Sequence, residues 1–179
     1  MWHDRQASMG VKTTMKAADL FDLTGRVALV TGASSGLGMR FAELLAANGA
    51  AVALVARRAE RLAATRARIE AAGGRAIAIE ADVTDKAAMA RAFDETERMF
   101  GTVTILMNNA GVAHADRAVD MPEEEWRRVL GVNLDAVFYC AQEAARRMLA
   151  GGKRGAIINT ASILGVGVAK GTVAYAVSK

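Results

Sequence analysis

A chain of 179 residues, 53% hydrophobic and with a single proline, has enough apolar surface for one core and is too short to suggest two. Its net charge of +4 is local: the stretch from Arg57 to Arg75 holds six arginines against Glu60 and Glu70, and only 5% of the chain is aromatic, which argues against the broad basic face with stacking rings that nucleic acid demands. No apolar run reaches the roughly 18 to 20 residues of a membrane span, the first twenty residues lack the apolar core of a secretory signal, and the lone Cys140 has no disulfide partner within the chain, so a cytoplasmic protein without membrane or nucleic-acid partners is expected.

Residues 1–14 are polar and patternless, and they are expected to be a disordered leader or a mis-assigned start, with Met15 as the natural first residue. Arg26 to Thr31 is a β-branched run closed by glycines, the pattern of a buried parallel strand. Alanines and leucines at helical spacing over 36–48 end at Asn48-Gly49, a left-handed stop. The alternation repeats as strand 51–56, helix 59–72, strand 75–80, helix 85–100 and strand 103–107. Pro122 followed by three glutamates predicts a helix start, because proline suits the first turn and the acids complement the helix dipole. That helix runs to Ala150 with a break expected near Gly131, and 155–160 reads as a fifth strand. Strict alternation with right-handed crossovers implies an α/β fold, a Rossmann-type doubly wound parallel sheet with helices on both faces.

Between the first strand and first helix stands Thr31-Gly32-Ala33-Ser34-Ser35-Gly36-Leu37-Gly38. Glycines there permit a tight turn and let a pyrophosphate approach the backbone at a helix N-terminus. Gly32, Ser34, Ser35, Gly36, Leu37 and Gly38 are therefore candidate cofactor contacts. The spacing lacks the Lys-Ser/Thr of a P-loop, which argues against a nucleotide triphosphatase. About 20 residues on, where an acid would hold a ribose 2′-hydroxyl, the chain reads Val55-Ala56-Arg57-Arg58. Ala56 offers no carboxylate, and Arg57 can pair with a 2′-phosphate through its planar fork, so NADP(H) is favoured while NAD(H) stays possible. Arg58 reads as a solvated helix-start residue.

Tyr175 and Lys179 are four apart, so on a helix they share a face. An ammonium beside a phenol stabilises tyrosinate and lets the tyrosine exchange a proton near neutral pH. Ser162, thirteen residues before the tyrosine, is placed to hold a substrate oxygen by hydrogen bonding. Cys140 has no histidine nearby in sequence, which removes a thiol mechanism, and no metal site is expected. His114 reads as a solvated loop residue, and Trp126 and the methionines as core or interface.

The glycine spacing, Asn108-Asn109-Ala110-Gly111, Ser162 and Tyr175-Ala176-Val177-Ser178-Lys179, in this order, resemble the short-chain dehydrogenase/reductase family over about 22–179. The resemblance makes 15–179 a dinucleotide-binding domain. It further implies that Asp82 and Val83 meet the adenine, that Asn109, Ala110 and Gly111 line the adenosine ribose, and that Asn108 steadies the sheet. Asn133 would bind a water on the proton route to the lysine, and Tyr175 and Lys179 would also touch the cofactor, Lys179 at the nicotinamide ribose. Members of the family continue past this lysine to seven strands, so five are expected here, with the C-terminal part missing. They assemble as homodimers or homotetramers through long helices, which makes 122–150 the candidate interface. The expected activity is hydride transfer between NADP(H) and a small-molecule ketone or secondary alcohol, with a 3-oxoacyl thioester as one candidate. A catalytically silent dinucleotide-binding fragment is the alternative. A nucleotide-sugar epimerase, which also uses the Tyr-x-x-x-Lys pair, is disfavoured by the glycine spacing and the Asn-Asn-Ala-Gly string.

Overall fold

A computed structural model describes residues 17–179; the expected leader at 1–14 and the expected start at Met15 fall outside them. The apolar segments form β1 (Val27–Thr31), β2 (Ala51–Ala56), β3 (Arg75–Glu80), β4 (Ile105–Asn108) and β5 (Ala156–Asn159), all paired in parallel in the order β3-β2-β1-β4-β5. With β1 central, the chain winds outward through β2 and β3, then returns to the other side of β1 for β4 and β5. The helices between them are α1 (Gly36–Ala47), α2 (Ala59–Ala71), α3 (Lys86–Phe100), α4 (Glu123–Leu130) and α5 (Ala136–Ala150), followed by a short α6 (Val173–Val177).

Side chains alternate across a strand, so each buried strand feeds two cores. Val27, Leu29, Ala53 and Val55 pack with Met89, Phe93, Cys140 and Met148 of α3 and α5. Ala28, Val30, Val52 and Leu54 pack with Ala42, Ala46, Leu62 and Ile69 of α1 and α2. Full burial of one such large side chain contributes about 1.5–3 kcal/mol, so these two layers dominate the stability of the sheet's centre. Arg147 ties α5 to α3 by meeting Asp94 at 2.7 Å and Glu97 at 3.0 Å while its guanidinium lies over Phe93. Burial disfavours its charge, but bonds to Glu143, Asp94 and Glu97 overcome that and hold it protonated.

Two boundaries depart from expectation. β4 begins at Ile105 rather than 103, because the Thr104 hydroxyl accepts the Val27 amide at 3.1 Å where a strand would offer a carbonyl. The helix from Glu123 does not break at Gly131; the glycine keeps helical angles (φ −56°, ψ −42°), and Gly131–Asp135 form one π turn that carries the chain into α5. α6 spans Val173–Val177, and the turn carries on through Ser178, which keeps right-handed helical angles and whose amide donates to Ala174 O at 3.1 Å. Among the described residues no helix is long and apolar enough to cross a membrane, and no group of three His, Cys, Asp or Glu could hold a metal ion.

Candidate functional site

The loops leaving β1, β2, β3 and β4 open at the same end of the sheet and enclose a cleft of about 360 Å³. It lies where the strand order reverses between β1 and β4, the crevice in which open α/β sheets bind ligands. Gly32, Ser34 and Ser35 line it from β1, Ala56, Arg57 and Arg58 from β2, Ala81, Asp82 and Val83 from β3, and Asn109, Ala110, Gly111 and Val112 from β4, with Val132 of the π turn beside them.

The glycine loop has no room for side chains at two of its positions. Gly32 has φ +68°, and a Cβ there would stand 2.9 Å from Ala110 Cα; at Gly38 it would stand 2.5 Å from Gly32 O. The Thr31 hydroxyl accepts the amides of Asn109 (3.0 Å) and Ala110 (3.1 Å), and the Asn109 side-chain amide donates to Thr31 O at 3.2 Å, so the loops after β1 and β4 are tied together. Asn108 does not enter the cleft; its amide donates to Val137 O (3.2 Å) and Asn159 Oδ1 (3.0 Å), joining β4 to α5 and β5. Gly36, Leu37 and Gly38 form the first turn of α1 and do not line the cleft, with the Leu37 side chain exposed.

The two arginines diverge. Arg57 reaches towards β3, with Nη1 3.6 Å from Asp82 Oδ2. Arg58 turns back over the glycine loop, its Nη2 donating to Ser34 Oγ and Ser35 Oγ, both at 2.8 Å, and its Nε to Ser34 Oγ at 3.2 Å. Arg58 is exposed at the start of α2, as expected, and its bonds to the two serines are an addition to that reading. β2 lies between β1 and β3, so adjacent arginines at its end reach both neighbouring loops; that strand order, with two serines in the glycine loop, is the signal that could have found those bonds. Asp85 caps α3 by accepting from Ala87 N and Ala88 N, which leaves Asp82 free of capping. Burial pushes the Asp82 carboxyl up, but the Thr84 amide and hydroxyl bonds and the nearby Arg57 outweigh it and hold it below its ordinary range.

A second group adjoins the cleft at Gly111. A Cβ on Gly111 would lie 3.4 Å from Asn133 Oδ1 and 3.6 Å from Lys179 Nζ. Asn133, buried in the π turn, accepts from Val112 N (2.8 Å) and donates to Val112 O (2.9 Å) and Ser178 Oγ (2.9 Å). Lys179 Nζ donates to Thr160 O at 2.9 Å and stands 5.8 Å from the Tyr175 ring centroid. The Thr160 hydroxyl is buried without a hydrogen-bond partner among the described residues. Ser162 Oγ accepts from Leu164 N at 3.2 Å, which leaves its own hydrogen to be donated elsewhere. Cys140 is buried in the core, and burial, with the neighbouring Glu143 adding to it, pushes its thiol up to about 11.

A family model described as short chain dehydrogenase matches residues 26–179. Among curated proteins, the chain is 37% identical over 143 residues to the NADP-dependent (R)-specific alcohol dehydrogenase of Lentilactobacillus kefiri, covering 80% of this chain and 56% of that protein. It is 38% identical over 159 residues to the NAD-dependent glycerol dehydrogenase of Listeria innocua, covering 89% and 61%. Among solved structures, a short-chain type dehydrogenase/reductase from Mycobacterium marinum superposes with a TM-score of 0.87 at 39% identity, covering 90% of this chain and 64% of that one. The matched region thus spans less than two thirds of each relative's length.

Proposed function

The chain belongs to the short-chain dehydrogenase family, and on that premise we propose that the protein is an NADP(H)-dependent oxidoreductase interconverting a ketone and a secondary alcohol. The observation that carries this reading is Gly111, which lines the cleft on one side and abuts Asn133 and Lys179 on the other, so that a proton-transfer group adjoins a dinucleotide cradle. The cradle fits the cofactor: at Gly32 and Gly38 a Cβ would fill the space the turn requires, and the loop leads into the N-terminus of α1. NADPH, when bound, supplies a hydride.

The rest is the work of this chain's residues. Gly32, Ser34 and Ser35 hold the pyrophosphate at the N-terminus of α1, the helix that Gly36, Leu37 and Gly38 begin. Arg57 and Arg58 flank the end of β2, and the absence of an acid at Ala56 supports a 2′-phosphate there; relatives that use either cofactor leave the choice to these side chains. Asp82 and Val83 hold the adenine, while Asn109, Ala110 and Gly111 hold the ribose beside it. Ser162 donates its free hydrogen to the substrate oxygen, and Tyr175 Oη gives that oxygen a proton in reduction or removes one in oxidation. Lys179, anchored by Thr160 O, keeps a positive charge beside the phenol and reaches the nicotinamide ribose. Asn133 fixes Val112 from both sides and retains a lone pair for a water on the proton route.

The names of the relatives, an alcohol and a glycerol dehydrogenase, favour a secondary alcohol over a 3-oxoacyl thioester. Leu134, Phe138 and Leu149 are exposed along the helical stretch 131–150, which supports a homodimer or homotetramer through it. One buried thiol suits a reducing cytoplasm. The test is NADPH oxidation by the purified protein against a panel of ketones. Turnover that falls at least about a hundredfold in Tyr175→Phe, with cofactor affinity held within about threefold, supports the reading; turnover that survives the substitution overturns it.

A further inference from the structure

His114 is not the solvated loop residue that the sequence suggests. It belongs to an extended segment after Gly111 in which Val112, His114 and Asp116 turn inward while Ala113 and Ala115 are exposed. Each inward residue makes a separate tether. Val112 is clamped through its backbone by Asn133. His114 Nδ1 lies 3.1 Å from Glu125 Oε2 on α4, and its Nε2 lies 3.8 Å from Asp116 Oδ2. The Asp116 amide donates to Gly171 O at 2.9 Å, and Asp116 pairs with Thr172 in an isolated parallel bridge.

That bridge leads to the reacting group. Thr172 precedes the first residue of α6 and its carbonyl accepts the Ala176 amide at 2.8 Å, so the start of the helix carrying Tyr175 is fixed to Asp116. On the other side, Arg128 grips Glu125 at 2.6 Å and donates to Ala113 O at 3.3 Å. The Arg128 bond holds the Glu125 carboxyl below the usual range, so the group facing His114 is a carboxylate. The other ring nitrogen, His114 Nε2, is buried without a hydrogen-bond partner among the described residues.

We infer that His114 is a positioning residue for Tyr175: by pairing with Glu125 it holds the 112–116 segment against α4, and through Asp116 that segment sets the position of the Gly171–Thr172 turn from which Tyr175 projects. The inference rests on the reading of Tyr175 as the proton-transfer group. Displacing such a group by about an ångström costs up to about a hundredfold in rate.

Two measurements on the whole enzyme separate this from a merely structural role. In Tyr175-dependent ketone reduction, His114→Ala is expected to lower kcat about ten- to a hundredfold with KM for NADPH unchanged. His114→Asn, whose amide nitrogen can take the place of Nδ1, is expected to recover most of that loss. Hydrogen exchange at the Asp116 amide is expected to quicken in His114→Ala and return towards wild type in His114→Asn. A wild-type kcat in His114→Ala, or an asparagine variant as impaired as the alanine one at equal folded fraction, would overturn the proposal. If the wild-type enzyme itself shows no Tyr175-dependent turnover, the functional reading fails by that result, and the exchange arm decides alone: unchanged protection in His114→Ala then rejects the latch as well.

Discussion

The two sides of the sheet carry the two halves of the candidate chemistry, and they are built differently. Every residue of β1 and β2 is buried, packed between helices on both faces, and the glycine loop and the two arginines grow from these strands. β5, with the equally apolar sequence Ala-Ile-Ile-Asn, is exposed among the described residues, which match less than two thirds of each relative's length. The cofactor cradle is held by packing on both faces, and the residues around the proposed proton-transfer group are joined by directed bonds: Lys179 to Thr160, Ser162 to Leu164, and Asp116 to Gly171. Substitutions in the cradle should cost stability and binding together, whereas removal of the Tyr175 hydroxyl should cost turnover alone.

The largest expected effect sits on the exposed side. Tyr175→Phe should lower turnover by about 10²- to 10⁴-fold while leaving the urea unfolding midpoint in place. A variant that unfolds instead would break the contrast, because the lost turnover would then be a loss of fold. Accessibility sharpens the same contrast: a thiol at about 11 has roughly a hundredth of the thiolate of an ordinary cysteine, so native Cys140 should resist alkylation at pH 8. In a Cys140→Ala background, Met99→Cys on the exposed face of α3 should label readily under the same conditions, and equal labelling of both sites would erase the difference.

On the buried side, Gly38→Ala places a Cβ 2.5 Å from Gly32 O, and overpacking of this kind destabilises by about 1–3 kcal/mol. Denaturant titration should show that loss together with weaker cofactor binding. The smallest effect belongs to Asp82. Its folded-state carboxyl lies below the ordinary 3.8, so it adds stability that is present above that value and is lost as the pH falls through the lowered one. The group is partly exposed, and solvent screening limits the contribution to less than about 1 kcal/mol. Asp82→Asn should therefore slightly flatten the acid limb of the stability curve, and a steeper limb would show that the sign is wrong.

The strands and their order of appearance were legible because β1 and β2 are buried on both faces and their apolar runs are continuous, and because Gly49, Gly73 and Gly101 stop helices with positive φ. The loops of the site were legible from short strings whose residue types have few other uses. The π turn at Gly131–Asp135 was not, since one extra residue in a helical turn leaves no mark in the spacing of apolar residues. The partners of Arg58 and His114 were not legible for a common reason: each lies across the fold, 24 and 11 residues away, where local pattern carries no signal.

The central claim is that this sheet holds a phosphorylated dinucleotide at the end of β2, and equilibrium titration of NADPH and NADH against the wild type and an Arg57→Ala, Arg58→Ala double variant tests it most directly. The account predicts that the wild type binds NADPH at least about tenfold more tightly than NADH, a difference of about 1.4 kcal/mol, and that the double variant loses this preference while its NADH affinity changes by less than about twofold. Equal affinity for the two cofactors in the wild type, or equal losses for both in the double variant, would contradict it.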